Sequence, residues 1–91
     1  PALLRLIKDV NAATKAAAAQ ALAQLGPLAK DAVPDLVRAL DHPEYEVRIA
    51  AAEALGAIGK QSKPGVAKLR DLRADPLVRP AALRALEKSE K

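Results

Sequence analysis

Apolar residues in the middle of the chain recur at the spacing of an α-helix, in two stretches separated by a polar break. The break covers residues 41–43. The stretch before it has apolar residues at positions i, i+3, i+4 and i+7, namely Val33, Leu36, Val37 and Leu40. The stretch after it has an apolar face formed by Val47, Ala50, Ala51, Ala54, Leu55 and Ile58. The pattern predicts a first helix and then a second helix from about Glu44 to Ile58.

Residues that start or stop helices stand at the ends of these stretches. Asp31 can accept hydrogen bonds from the N–H groups that open the first helix, and Pro34 falls in its first turn. Gly59 provides the left-handed residue that ends the second helix. Asp75 predicts the N-cap of the last helix. Pro80 predicts an irregular first turn there, with regular helix from about Pro80.

The helix pair repeats along the chain with a period of about 33 residues. The most informative matches are Gly26 with Gly59, Pro43 with Pro76 and, after a two-residue deletion, Val47-Arg48 with Val78-Arg79. We therefore read residues 1–91 as one domain of three units. Residues 1–26 form a clipped, degenerate repeat, residues 31–59 a full repeat and residues 62–91 a C-terminal repeat.

Composition predicts an all-α fold and excludes several kinds of site. The 91 residues include 22 Ala and 14 Leu, the best helix formers, but a single aromatic residue, Tyr45. The absence of Cys excludes disulfides, thiolate nucleophiles and thiolate-bound metals. The single histidine excludes a multi-histidine metal site, and no apolar run approaches the roughly 18 residues of a membrane span. We therefore expect no membrane partner, and localisation stays open.

The two stretches of the middle unit, AVPDLVRAL (residues 32–40) and VRIAAAEALGAIG (residues 47–59), resemble HEAT repeats. They look most like the short bacterial kind called phycobilisome-lyase-type HEAT-like repeats. The resemblance covers nearly the whole chain and implies an α-α superhelix, or solenoid, of about three antiparallel helix pairs. It also implies that the second helices line the concave side, and that the chain is a non-catalytic protein-interaction or scaffolding module.

The first unit departs from this pattern at its start. Pro1 aligns with Pro34, which lies inside a helix, and residues 14–15 are Thr-Lys where later units have Val-Arg. We therefore expect the C-terminal fragment of a longer array. Its open N-terminal face, formed by Leu3, Leu4 and Ile7, predicts self-association or attachment to upstream repeats.

No group of residues has the pattern of a catalytic or cofactor site. His42 is the only imidazole and lies in a loop, where a cap or spacer role is expected, because acid–base catalysis needs a partner in a water-excluding pocket. The sequence lacks the His-Glu steps with which HEAT-repeat deoxyhypusine hydroxylases hold iron. Glu44 and Glu46 suit a helix N-terminus. We therefore expect no enzyme, cofactor or metal, with an accessory subunit of a bilin lyase-type enzyme as an alternative.

Arg48 and Arg79 follow an inward Val at the same position of two units. In HEAT-like repeats this Arg usually bonds to loop carboxylates and carbonyls between helices. The resemblance therefore implies a structural role for both, with Asp41 and Asp75 as the acceptors.

Charge is uneven and leaves a second alternative open. Residues 1–59 have six Lys or Arg and seven Asp or Glu, a net of −1, whereas residues 60–91 have nine and four, a net of +5. This basic third could bind nucleic acid. However, it has no aromatic residues to stack on bases, and its arginines belong to two different helices, so nucleic acid is not the favoured partner.

The outward face of the second helices is the candidate contact surface. A rotation of 100° per residue puts Tyr45, Ile49, Ala52, Glu53 and Gly56 outward if Val47, Ala51 and Ile58 point inward. The rows Ala16/Ile49/Pro80 and Ala19/Ala52/Leu83 then form an apolar band. The alternative is that these small residues only permit tight curvature. We predict another protein as the partner, with Tyr45 and Ile49 as anchors among Gln20, Glu53 and Arg84.

Overall fold

The computed structural model describes residues 12–90, and all of the regular structure in this part of the chain is helical. The α-helices are α1 (Ala12–Leu25), α2 (Val33–Ala39), α3 (Tyr45–Ile58), α4 (Val66–Asp71) and α5 (Arg79–Glu90). Short 3₁₀ segments cover Gly26–Ala32, Gly59–Gly65 and Leu72–Ala74. The all-α prediction is confirmed. None of the described helices is both long and apolar enough to cross a membrane.

The long helix α3 has the ends that the sequence predicts, to within one residue. Glu44 precedes it in an extended conformation, with φ −85° and ψ 124°. Gly59 ends it with a φ of +78°, a conformation that costs glycine little because it has no Cβ. Gly26 has a φ of +57° at the end of α1, so α1 and α3, the second helices of two neighbouring repeats, both end at a glycine with positive φ.

The prediction that Asp31 caps α2 is wrong. Ala32 occupies the N-cap position, and no side chain caps the helix there. The reason is that the preceding 3₁₀ segment runs directly into α2, so that the Val33 N–H donates to the carbonyl of Lys30. The same happens before α4, where the Val66 N–H donates to the carbonyl of Lys63. A segment expected to be a plain spacer is therefore a helical turn.

The start of α5 follows the prediction for Asp75 closely. Asp75 is extended, and its Oδ1 accepts the Leu77 N–H at 3.0 Å. Its carbonyl accepts the Arg79 N–H at 2.8 Å, and the helix begins there, one residue before Pro80. Residues 76–78 form the predicted irregular turn. The missing N–H of Pro80 costs little because Pro80 lies within the first turn of the helix.

The core is centred on α3, which packs against α1 on one side and α5 on the other. The shorter helix α2 also packs against α3, and α4 packs against α5. Large side chains that are fully buried in this core include Leu36, Leu40, Val47, Leu55, Leu69 and Val78. Neighbouring helix pairs thus bury together an apolar surface that one pair could not bury alone.

Candidate functional site

Arg48 ties the α2–α3 loop to the loop before α5. Its Nε and Nη2 donate to Asp75 Oδ2 at 3.2 and 3.0 Å, and its Nη1 donates to the carbonyls of His42 and Pro43 at 2.8 Å each. The side chains of Arg48 and Asp75 are only 19% and 23% exposed. The predicted structural role of Arg48, with Asp75 as acceptor, is confirmed.

Asp41 was expected to accept from the same class of arginine and instead pairs with Lys68. The Lys68 Nζ lies 2.8 Å from Asp41 Oδ2, and this hydrogen-bonded pair raises the pKa of Lys68 above its ordinary value. Both arginines have other partners. Arg48 binds Asp75, and Arg79 Nε donates to the carbonyl of Arg73 at 2.7 Å. Asp41 therefore pairs with a lysine of α4 and not with an arginine.

The side chain of His42 accepts a backbone hydrogen bond, as expected of a capping residue. Its Nδ1 accepts the Glu44 N–H at 3.0 Å, which is the local contact that Asp75 makes in the next repeat. Within residues 12–90, no three metal-ligating side chains lie close enough together to hold a metal ion.

The predicted contact residues lie on three successive second helices, α1, α3 and α5. Gln20, Glu53 and Arg84 are exposed, and Arg84 Nη2 lies 3.9 Å from Glu53 Oε2. Tyr45 is 43% exposed at the start of α3. Ile49, one turn later, is partly buried and packs against the core. We call the exposed side chains of these three helices the second-helix surface.

The predicted apolar band on this surface is wrong for half of its residues. Ala16, Ala19 and Ala52 are buried and Ile49 is partly buried, while Pro80 and Leu83 are exposed. Gly56, which was also predicted to point outward, is buried. The reason is that α3 lies between two helices, so residues on its flanks contact neighbours and do not face solvent. A Cβ on Gly56 would come within 3.0 Å of the Ala85 Cα, which shows how closely α3 and α5 approach. The small residues at these positions allow neighbouring helices to pack closely, and the alternative that they permit tight curvature stays a prediction.

A shallow groove between α3 and α5 was not predicted from the sequence. Its volume is about 130 Å³. Its lining residues are Glu53, Gly56, Ala81, Arg84, Ala85 and Lys88. Lys88 is the charged lining residue that the sequence pattern had not indicated. It lies four residues after Arg84 on the same helix, and this spacing could have predicted that the two side chains are neighbours.

A buried pair of serine hydroxyls, Ser62 and Ser89, was also not predicted from the sequence. Ser62 Oγ lies 2.7 Å from Ser89 Oγ, 2.7 Å from the carbonyl of Leu55 and 2.6 Å from that of Gly59. When Ser62 donates its one hydroxyl proton to either carbonyl, Ser89 is the donor in the hydroxyl pair. Both side chains are fully buried, so this contact is a structural one between the second 3₁₀ segment and α5.

Two predictions remain, on the N-terminal face and on the basic third of the chain. The face formed by Leu3, Leu4 and Ile7 lies outside the described residues, so self-association through it stays a prediction. The arginines of the basic third are divided, as expected. Arg70 lies on α4, whereas Arg84 lies on α5.

A family model for HEAT repeats matches residues 1–89. The chain belongs to the HEAT-repeat family. No curated protein matched it in a sequence search. HEAT repeats generally mediate protein–protein interaction and are generally non-catalytic, which fits the stacked helix pairs and the structural roles of Arg48 and His42 described above.

Proposed function

We propose that this chain is a non-catalytic module for binding another protein, and that the second-helix surface is its contact surface. The exposure of Tyr45 carries the proposal. It is the single aromatic residue of the sequence, it is 43% exposed, and the partly buried Ile49 lies one helical turn away. Tyrosine is enriched among the residues that contribute most to binding energy at interfaces.

The polar residues near these anchors complete the proposed surface. Gln20, Glu53 and Arg84 are exposed on α1, α3 and α5, so they would form the hydrated rim that surrounds an apolar contact. Because the helices pack closely, the surface is rigid, and binding would cost little ordering of the backbone.

We also propose the finer family assignment. The sequence of residues 47–59 supports the short bacterial, phycobilisome-lyase-type class of HEAT repeats, and the stacking of neighbouring helix pairs supports a scaffolding role. Neither alternative function gains a supporting observation. The arginines of the basic third are distributed over two helices, with Arg70 on α4 and Arg84 on α5.

A binding comparison of three variants tests the proposal. Immobilised wild-type protein captures partners from a lysate under cross-linking, and captured material is quantified for each variant. We expect the combined Tyr45→Ala and Ile49→Ala changes to reduce capture about tenfold or more, as truncation of interface anchors does. Tyr45→Ala alone should give a smaller loss in the same direction.

The control is Leu28→Ala, which removes a side chain that is 85% exposed and lies outside the second-helix surface. It should leave capture unchanged. Circular dichroism must show the same helicity for all the variants. Unchanged capture by the Tyr45 variants, or an equal loss of helicity and capture, would contradict the proposal.

A further inference from the structure

We infer that the groove between α3 and α5 binds the carboxylate side chain of an acidic peptide segment, with Arg84 and Lys88 as the groups that recognise it. This inference rests on the proposed function and specifies the chemistry of the partner. It uses the groove geometry and the charges that line it.

The floor of the groove consists of residues with little or no side chain. Gly56 has no Cβ, and Ala81 and Ala85 add only a methyl group each. The volume of the groove is about 130 Å³. A drug-sized ligand needs about 300–1,000 Å³. The space therefore suits one side chain of a peptide and not a small-molecule ligand.

The wall formed by α5 is cationic. Arg84 and Lys88 are one helical turn apart, so both side chains rise on the same side of the groove. Arg84 is 64% exposed, and its contact with Glu53 is long, at 3.9 Å. A guanidinium and an ammonium at this spacing can donate together to one carboxylate.

Most other cations described in this half of the molecule are already engaged. Arg48 binds Asp75, Lys68 binds Asp41, and the Nε atoms of Arg73 and Arg79 donate to backbone carbonyls. Arg84 and Lys88 combine availability with a shaped cavity. Glu53 on the opposite wall limits this attraction, because it would repel an incoming carboxylate and competes for Arg84.

The experiment measures binding of a fluorescent peptide of alternating Glu and Ala to the full chain, with the corresponding Gln-Ala peptide as the neutral comparison. We expect the Glu-Ala peptide to bind more tightly. The Arg84→Gln/Lys88→Gln variant should lose about tenfold or more of that affinity, which is the usual size for lost charge-assisted hydrogen bonds.

The matched control is Lys60→Gln/Lys63→Gln, which removes the same charge from two exposed lysines that do not line the groove. It should reduce affinity far less. A variant that binds the Glu-Ala peptide more tightly provides a second readout, because misfolding would weaken binding and not strengthen it. Glu53→Gln should tighten binding by about two- to fivefold, the size expected of a surface charge interaction.

Three results would overturn the inference: equal losses in the two double variants, no tightening by Glu53→Gln, or tighter binding of a single-stranded oligonucleotide of matched charge. If the peptide fails to bind while capture still depends on Tyr45, only the groove is wrong. If both fail, the second-helix surface is not a protein-binding surface.

Discussion

The α1–α3 and α3–α5 interfaces can be compared position by position, because the repeat aligns them and α3 belongs to both. The first brings Ala16, Ala19 and Leu22 of α1 into the buried core. The same two repeats that contribute α3 and α5 are also joined by polar contacts, through Arg48–Asp75, Lys68–Asp41 and Ser62–Ser89, of which the first links α3 to the start of α5. Where the second has Ser62 and Ser89, the repeat places Ala29 and Ile58 in the first, and both are buried.

This difference indicates how each interface is specified. Apolar contacts favour burial without strongly fixing direction, so they tolerate small shifts of one helix against another. Hydrogen bonds have narrow limits of distance and angle, so these contacts favour one arrangement of the two repeats. Their net contribution to stability is modest, because the same groups bond to water in the unfolded chain.

The largest expected effect comes from Gly56→Leu. Because a single Cβ at this position would come within 3.0 Å of the Ala85 Cα, α5 must move to admit the side chain. We expect the free energy of unfolding in urea to fall by about 3 kcal/mol, the upper part of the range for overpacking. Ala23→Leu, at the corresponding position of α1, should cost clearly less, because Ala23 is only partly buried. Equal losses would mean that the two interfaces are packed alike.

Arg48→Met ranks second. It keeps much of the aliphatic length but removes the four hydrogen bonds that join the two loops, in a region where Asp75 is only 23% exposed. We expect a loss of about 2 kcal/mol, typical of hydrogen bonds to charged groups. The control is Lys15→Met, which changes the same position of the first repeat and should have little effect. A loss in the control as large as in Arg48→Met would contradict the comparison.

Ser62→Ala should have a smaller but measurable effect. It leaves the Ser89 hydroxyl buried without its acceptor, at a cost of about 1–2 kcal/mol. Ser89→Ala in that background should recover part of this loss, because it removes the buried hydroxyl that has no partner. A double-mutant cycle by urea unfolding measures this coupling. Additive losses would show that the two hydroxyls do not depend on each other.

The fold was largely predictable because its signals are local. Apolar spacing defined α3, Gly59 defined its end, and Asp75 defined the start of α5. Asp31 failed as a cap because a 3₁₀ segment replaced the expected loop, and backbone carbonyls then satisfied the N–H groups that a side chain would have capped. The chain is already helical before the expected start of α2, and no residue type in that segment indicates this in the sequence.

The candidate surface was predictable only in part, because outward and lateral directions look alike on a helical wheel. Glu53 and Arg84 are charged, and their exposure was confirmed. Ala52 and Gly56 have no strong preference for solvent or for the core. Which flank of α3 contacts a neighbouring helix depends on the stacking geometry. The groove depends on that same geometry. Lys88 was therefore missed even though its spacing from Arg84 is visible in the sequence.

The smallest predicted effect concerns pH. Asp41 raises the pKa of Lys68 in the folded chain, so the pair stabilises the fold fully below the unfolded lysine pKa of about 10.4 and loses that contribution as pH rises through the higher folded value. Thermal unfolding midpoints of wild type and Lys68→Met should therefore differ slightly near neutral pH and converge in strongly alkaline buffer. Lys60→Met, which removes the same charge from an exposed residue, should not show this convergence. If both variants converge with wild type alike, the effect belongs to net charge and not to the ion pair between the repeats.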